Sequence, residues 1–122
     1  MRFAIRQPRP AVIRLPREID STNAEAVAAL LRAEYKPGRI IVADMANAIF
    51  CDSLGTRELL KFHKWAVASR DELRIARPAA EVLRVWQLLG AEQVFAIYPT
   101  LEAARSPQGR FAGLSTRLSR PA

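Results

Sequence analysis

The chain has 122 residues, half of them apolar and a quarter charged, with a net charge of +7; this is the mix and length of one ordinary globular domain, able to bury a single core. No apolar run approaches the ~18–20 residues of a membrane span, and the basic residues spread through positions 1–17 argue against a secretory leader. The lone cysteine, Cys51, excludes an internal disulfide and fits a reducing, cytoplasmic compartment, and with a single histidine, His63, it cannot complete a zinc site, so no metal or cofactor is expected.

Phe3 and Ile5 alternate with polar residues before Pro8 and Pro10 break the run, which predicts a short edge strand at best. Ala11 to Leu15 reads as a second strand, closed by Pro16. Ser21-Thr-Asn-Ala-Glu25 predicts a helix start, with Thr22 and Glu25 spaced as a capping box. This helix should run to about Tyr35, carry Ala26, Ala29/Leu30 and Ala33 on one face, and stop at Lys36-Pro-Gly38.

Arg39 to Asp44 is nearly continuous in apolar residues and of strand length, the pattern of an inner parallel strand covered on both faces. Met45 to Cys51 continues as loop and apolar lead-in. Asp52-Ser-Leu-Gly55 opens a second helix to about Ser69, with Leu59, Leu60, Phe62, His63, Ala66 and Val67 as a broad apolar face. Glu72 to Ala76 is a short alternating strand. Pro78 suits the first turn of a third helix, Val82, Val85/Trp86 and Leu89 form its stripe, and Gly90 ends it. Gln93 to Ile97 is a last strand and Pro99 to Arg105 a last short helix. Strands alternating with helices of this length predict an α/β layer structure.

Residues 106–122 are rich in Ser, Pro, Gly and Arg and read as a disordered basic tail. From Arg105 onward four arginines stand with no acid, whereas in residues 1–104 acids and bases are interspersed. Nucleic-acid binding is therefore disfavoured, because a basic stripe with interleaved aromatics is missing.

The sharpest local feature is Ile49-Phe-Cys-Asp-Ser-Leu-Gly55, an apolar lead-in followed by Asp-Ser-x-Gly and a helix. A serine at a helix N-terminus faces unpaired backbone N–H groups and the positive end of the helix dipole, so a phosphate there would be held and partly neutralised. Equally, Asp52 or Ser53 could be no more than an N-cap worth ~1 kcal/mol. No hydrolase reading survives. A nucleophile elbow needs Gly where Cys51 stands, and His63 lies ten residues past Ser53 on the same helix, about 15 Å along the axis by helical rise. Cys51 is most simply a small buried hydrophobe. Trp65 is either an exposed anchor for a partner or tucks against a neighbouring loop, while Trp86 fits the core stripe of its helix.

Taken together, residues 3–104 resemble a STAS domain, the fold of bacterial anti-sigma factor antagonists. Val12-Ile-Arg-Leu-Pro-Arg-Glu-Ile-Asp20 resembles the family's hydrophobic strand ending in Gly-Glu-Leu-Asp. Ile40 to Met45 with Phe50 to Gly55 resembles a strand, Asp-Leu, then Asp-Ser-Ser-Gly. Val82 to Gly90 resembles the third-helix pattern ending in Gly.

The resemblance implies an α/β fold: one STAS-like domain over residues 1–105, with a mixed, mostly parallel sheet of four to five strands and about four helices. It implies an anti-sigma factor antagonist without catalysis of its own. Such a protein binds an anti-sigma factor with serine kinase activity, is switched off by phosphorylation, and is reset by a serine phosphatase. The position matching the phosphoacceptor is Ser53, and the partner surface would draw on Asp20, Asp52, Ser53, Leu54, Gly55 and Arg57. No membrane partner is expected, and a homodimer is left open. Three departures stand out: Arg17 where the family has Gly, Leu54 in place of the second Ser, and Thr56-Arg57-Glu58 in place of an apolar, Gly-containing turn. Arg57 could pair with a phosphate one turn away. The alternative is an unphosphorylated STAS module, serving as a transporter or stressosome-like subunit or as a small-ligand sensor.

Overall fold

The computed structural model describes residues 8–107. In chain order it contains β1 (Ala11–Arg14), β2 (Glu18–Ile19), α1 (Ala24–Arg32), β3 (Ile40–Asp44), β4 (Phe50–Cys51), α2 (Ser53–Ala68), β5 (Glu72–Ala76), α3 (Ala80–Leu89), a 3-10 turn (Ala91–Gln93), β6 (Ala96–Tyr98) and α4 (Leu101–Arg105). The main sheet has the order β1-β3-β5-β6, and β2 pairs separately with β4. Every described ladder is parallel, as strand–helix–strand crossovers require. The expected strand at Phe3 and Ile5, and the tail from residue 108 onward, lie outside the described residues.

Alternation along β3 and β5 builds two cores. Ile41, Ala43, Leu73 and Ile75 face α1, α2 and α3, where Val27, Leu31, Leu59, Phe62, Ala66, Val82 and Trp86 complete the main core. Ile40, Val42 and Ala76 face the opposite way, against Ala104 of α4 with Tyr98 and Leu101. All five residues of β3 are buried, which is why its sequence is an apolar run rather than an alternation.

The second face also holds a buried ion pair. Arg74 is fully buried, meets Glu72 at 3.1 Å, and donates to the carbonyls of Ala104 (3.1 Å) and Ser106 (2.8 Å). It caps the C-terminal end of α4 and fastens the chain as far as Ser106 to the sheet. At the C-terminal end of β3, buried Asp44 is held by Arg77 at 2.9 Å and Arg14 at 3.6 Å. Burial pushes the Asp44 carboxyl up, but the Arg77 hydrogen bond, the Ala46 amide and both arginine charges outweigh it and leave the group below its ordinary range.

Several local expectations are corrected. α1 starts at Ala24, not in a capping box: the Thr22 hydroxyl donates to Asp20 Oδ1 at 2.6 Å, and no side chain caps the helix. The buried stripe of α1 is Ala24, Val27, Ala28 and Leu31, while Ala26, Ala29, Leu30 and Ala33 are exposed. An alanine-rich helix carries apolar residues on both sides, and the large side chains Val27 and Leu31 decide which side packs. α3 begins after Pro78, and Leu89 and Val67 are about half exposed rather than core. Gln93 closes the 3-10 turn, so the last strand starts only at Ala96. Gly90 ends α3 with φ 77°, the left-handed conformation a glycine C-cap supplies.

Candidate functional site at the head of the second helix

The short β2–β4 ladder positions the site. Ile19 is in register with Cys51, so the chain leaves the two parallel strands side by side at Asp20 and Asp52. The Asp52 amide donates back to the Ile19 carbonyl at 3.1 Å. The carbonyl of Arg17 accepts from the amides of Ile49 and Phe50, at 2.9 and 3.3 Å.

Asp52 is the N-cap of α2. Its Oδ1 accepts from the Gly55 amide at 2.8 Å, and its carbonyl accepts from the Thr56 amide and hydroxyl at 2.9 and 2.8 Å. Ser53 is therefore the first helical residue, not the cap. Its side chain is exposed, and its hydroxyl has no hydrogen bond among the described residues. The amides of Ser53 and Leu54 likewise lack partners there, the two donors a phosphate could reach.

Gly55 lies pressed against β2. A Cβ at this position would come within 2.8 Å of both Ile19 Cγ2 and the Ile19 carbonyl, and 3.2 Å of Cys51 Sγ. The glycine is needed for close approach, which lets the first turn of α2 sit against β2. Thr56, one residue on, is buried and accepts from the Trp86 indole at 3.0 Å. Cys51 is buried beside it, and burial pushes its thiol up, the state of an inert packing residue rather than a nucleophile.

Asp20 orders the adjoining loop. Its carboxylate accepts from the Thr22 hydroxyl and amide, and its own amide donates to Asn23 Oδ1 at 3.0 Å. The Thr22 hydroxyl, then its amide, hold the Asp20 carboxyl below its ordinary value, so the loop presents a carboxylate next to the head of α2. Apolar side chains are also presented near Ser53 in the chain: Ile49, Phe50 and Leu54 are each close to half exposed. Ile49 and Phe50 read in the sequence as apolar lead-in to the helix, and in the structure both are close to half exposed, Phe50 on a two-residue strand paired only with β2. Arg57 is exposed one turn along α2 from Ser53.

The STAS domain family model matches residues 4–104. The chain belongs to the STAS domain family. Among solved structures, an anti-sigma-factor antagonist (STAS) domain protein from Planctomyces limnophilus has the same fold, with a TM-score of 0.66 at 19% identity over 76% of this chain and 84% of that one. No curated protein sequence matches significantly. In this STAS domain the turn at Arg17 is built without a positive φ, so the missing glycine carries no strain. Trp65 packs edge-on to Tyr35 and tilted on Phe62, both at 5.4 Å, yet stays 37% exposed. His63 is half-buried against Phe95. Among the described residues no helix is long and apolar enough to cross a membrane.

Proposed function

We propose that this STAS domain is an anti-sigma factor antagonist whose switch is the Ser53 hydroxyl. It binds a serine-kinase anti-sigma factor through Asp20, Asp52, Ser53, Leu54, Gly55 and Arg57, and so frees a sigma factor in the cytoplasm. Phosphorylation of Ser53 breaks the complex, and a serine phosphatase restores it. The chain supplies a presented hydroxyl and no catalytic group of its own; ATP, metal and base belong to the kinase.

One observation carries this reading. Ser53 is the exposed first residue of a helix capped by its neighbour, its hydroxyl unengaged among the described residues, next to exposed Leu54 and a few residues after exposed Ile49 and Phe50. A partner covering these residues would bury a neutral hydroxyl without cost if it offers a hydrogen bond. It would not tolerate a group with about −1.5 to −2 charges, since an uncompensated buried charge costs several kcal/mol. Thr56, the other hydroxyl of the first turn, is buried and engaged by Asp52 and Trp86, which disfavours it as acceptor. The test is incubation with the host's anti-sigma kinases and Mg-ATP, followed by mass spectrometry. Phosphate on Ser53 is expected; no phosphate on the chain would overturn the reading.

The alternative, a small-ligand STAS module, has an observation of its own. An open groove of about 580 Å³ lies at the C-terminal end of β5 and β6, between Arg77, Leu83, Glu92, Ile97 and Tyr98. Its strongest cation, Arg77, is already committed to Asp44, so the Ser53 reading is preferred.

A further inference from the structure

From the outward face of α2 we infer that the partner meets this domain with an acidic surface, laid along a row of three cations that begins one turn after Ser53. The inference rests on the proposed antagonist function and extends it from one residue to a docking surface. Ser53, Arg57, Lys61 and Lys64 follow each other at helical spacings of four, four and three, so they share one face over about 16 Å of helix. Arg57, Lys61 and Lys64 are all exposed. The only acid within α2, Glu58, is 3.1 Å from Lys61. Arg57 and Lys64 have no ion pair or hydrogen bond among the described residues. Their side chains are the α2 cations left for an outside partner, and Arg57 stands where the apolar family turn has been replaced.

The surroundings select a protein over a nucleic acid. The row is flanked by exposed Leu54 (46%), and by Trp65, whose ring lies against Tyr35 and Phe62. The Trp65 ring, 37% exposed, is already engaged by Tyr35 and Phe62 of the domain itself, and a phosphate backbone gains nothing from Leu54. A protein surface gains from both kinds of contact: an apolar centre at Ile49, Phe50 and Leu54, and a charged rim along α2. Complementary rim charge speeds encounter and fixes orientation. It also deepens the switch, because a phosphate on Ser53 would meet like charge on the partner and draw Arg57 to itself one turn away.

The experiment titrates full-length protein against the anti-sigma kinase that binds it, by calorimetry at 50 and 500 mM NaCl. Variants are Arg57→Glu, Lys64→Glu and, as a control of equal charge change, Arg105→Glu on α4, which lies on the opposite face of the sheet. Thermal unfolding first confirms that each variant folds. We expect Arg57→Glu and Lys64→Glu each to weaken binding about five- to tenfold at low salt, less at high salt, with Arg105→Glu unchanged. Tight binding by wild type with no effect of either reversal would overturn the acidic-surface inference and leave the antagonist function standing. An equal loss with Arg105→Glu would reduce it to a net-charge effect. Tighter binding of wild type to a random DNA duplex than to the kinase would assign the row to nucleic acid instead. If none of the host's anti-sigma kinases binds wild type, the antagonist function falls, and the inference with it.

Discussion

The Trp86 indole donates a hydrogen bond of 3.0 Å to the hydroxyl of Thr56, joining the core face of α3 to the first turn of α2. Both residues are buried, and the same hydroxyl donates to the Asp52 carbonyl at 2.8 Å. A side chain in the middle of the core thus sets the position of the turn that presents Ser53. We expect Thr56→Val to leave the indole without its acceptor and cost about 1–3 kcal/mol. Thr56→Ser, which keeps the hydroxyl, should lose less. Urea denaturation of both variants measures the difference.

Gly55 gives a second test of how α2 is seated. Alanine is the better helix former, yet its Cβ would press on Ile19 and Cys51. We expect Gly55→Ala to destabilise by about 1–3 kcal/mol. Adding Ile19→Val should recover little, because valine keeps the γ2 methyl that the new Cβ meets and the Ile19 carbonyl stays equally close. Thermal melts of the single and double variants check this.

His63 predicts a pH dependence of stability. Burial pushes its imidazole below the ordinary value of 6.5, with Glu72 pulling weakly the other way. The folded chain then binds fewer protons than the unfolded chain between the folded pKa and 6.5, so stability rises with pH across that window. Unfolding free energy should fall as the pH drops through 6.5 and level off below the folded value. His63→Gln should remove this part of the slope, as read from urea unfolding at a series of pH values.

Arg74 and Glu72 should behave as a unit. Arg74→Met removes the cation facing buried Glu72 and releases two carbonyls at the end of α4, a loss of about 3–5 kcal/mol. The double variant Arg74→Met/Glu72→Gln should regain part of it. A double-mutant cycle in urea reads the coupling.

The strands and helices of the main layer were legible because their patterns are unambiguous. The apolar run at Ile40–Ala43, the alternation at Glu72–Ala76 and the glycine stop at Gly90 each match one element type, and the structure has them there. The resemblance also put Asp20, Asp52 and Ser53 in one region, and the β2–β4 ladder does bring their segments together. That ladder was not legible, since two-residue strands have no periodicity. Nor was the packed side of α1, where alanines surround the helix. Thr22 looked like a cap in sequence, but Asp20 two residues earlier captures its hydroxyl. The role of Thr56 needed the fold, because its partner Trp86 is thirty residues away.

The central claim is that charge on Ser53 decides partner binding. Its most direct measurement is the affinity of the cognate anti-sigma kinase for Ser53→Ala, Ser53→Asp and the phosphorylated wild-type chain, by calorimetric titration. We expect Ser53→Ala to bind about as tightly as the unmodified chain. The phosphorylated chain should bind about 10²–10³-fold more weakly, roughly 3–4 kcal/mol, with Ser53→Asp between them. Equal affinity of the phosphorylated and unmodified chains would contradict the switch.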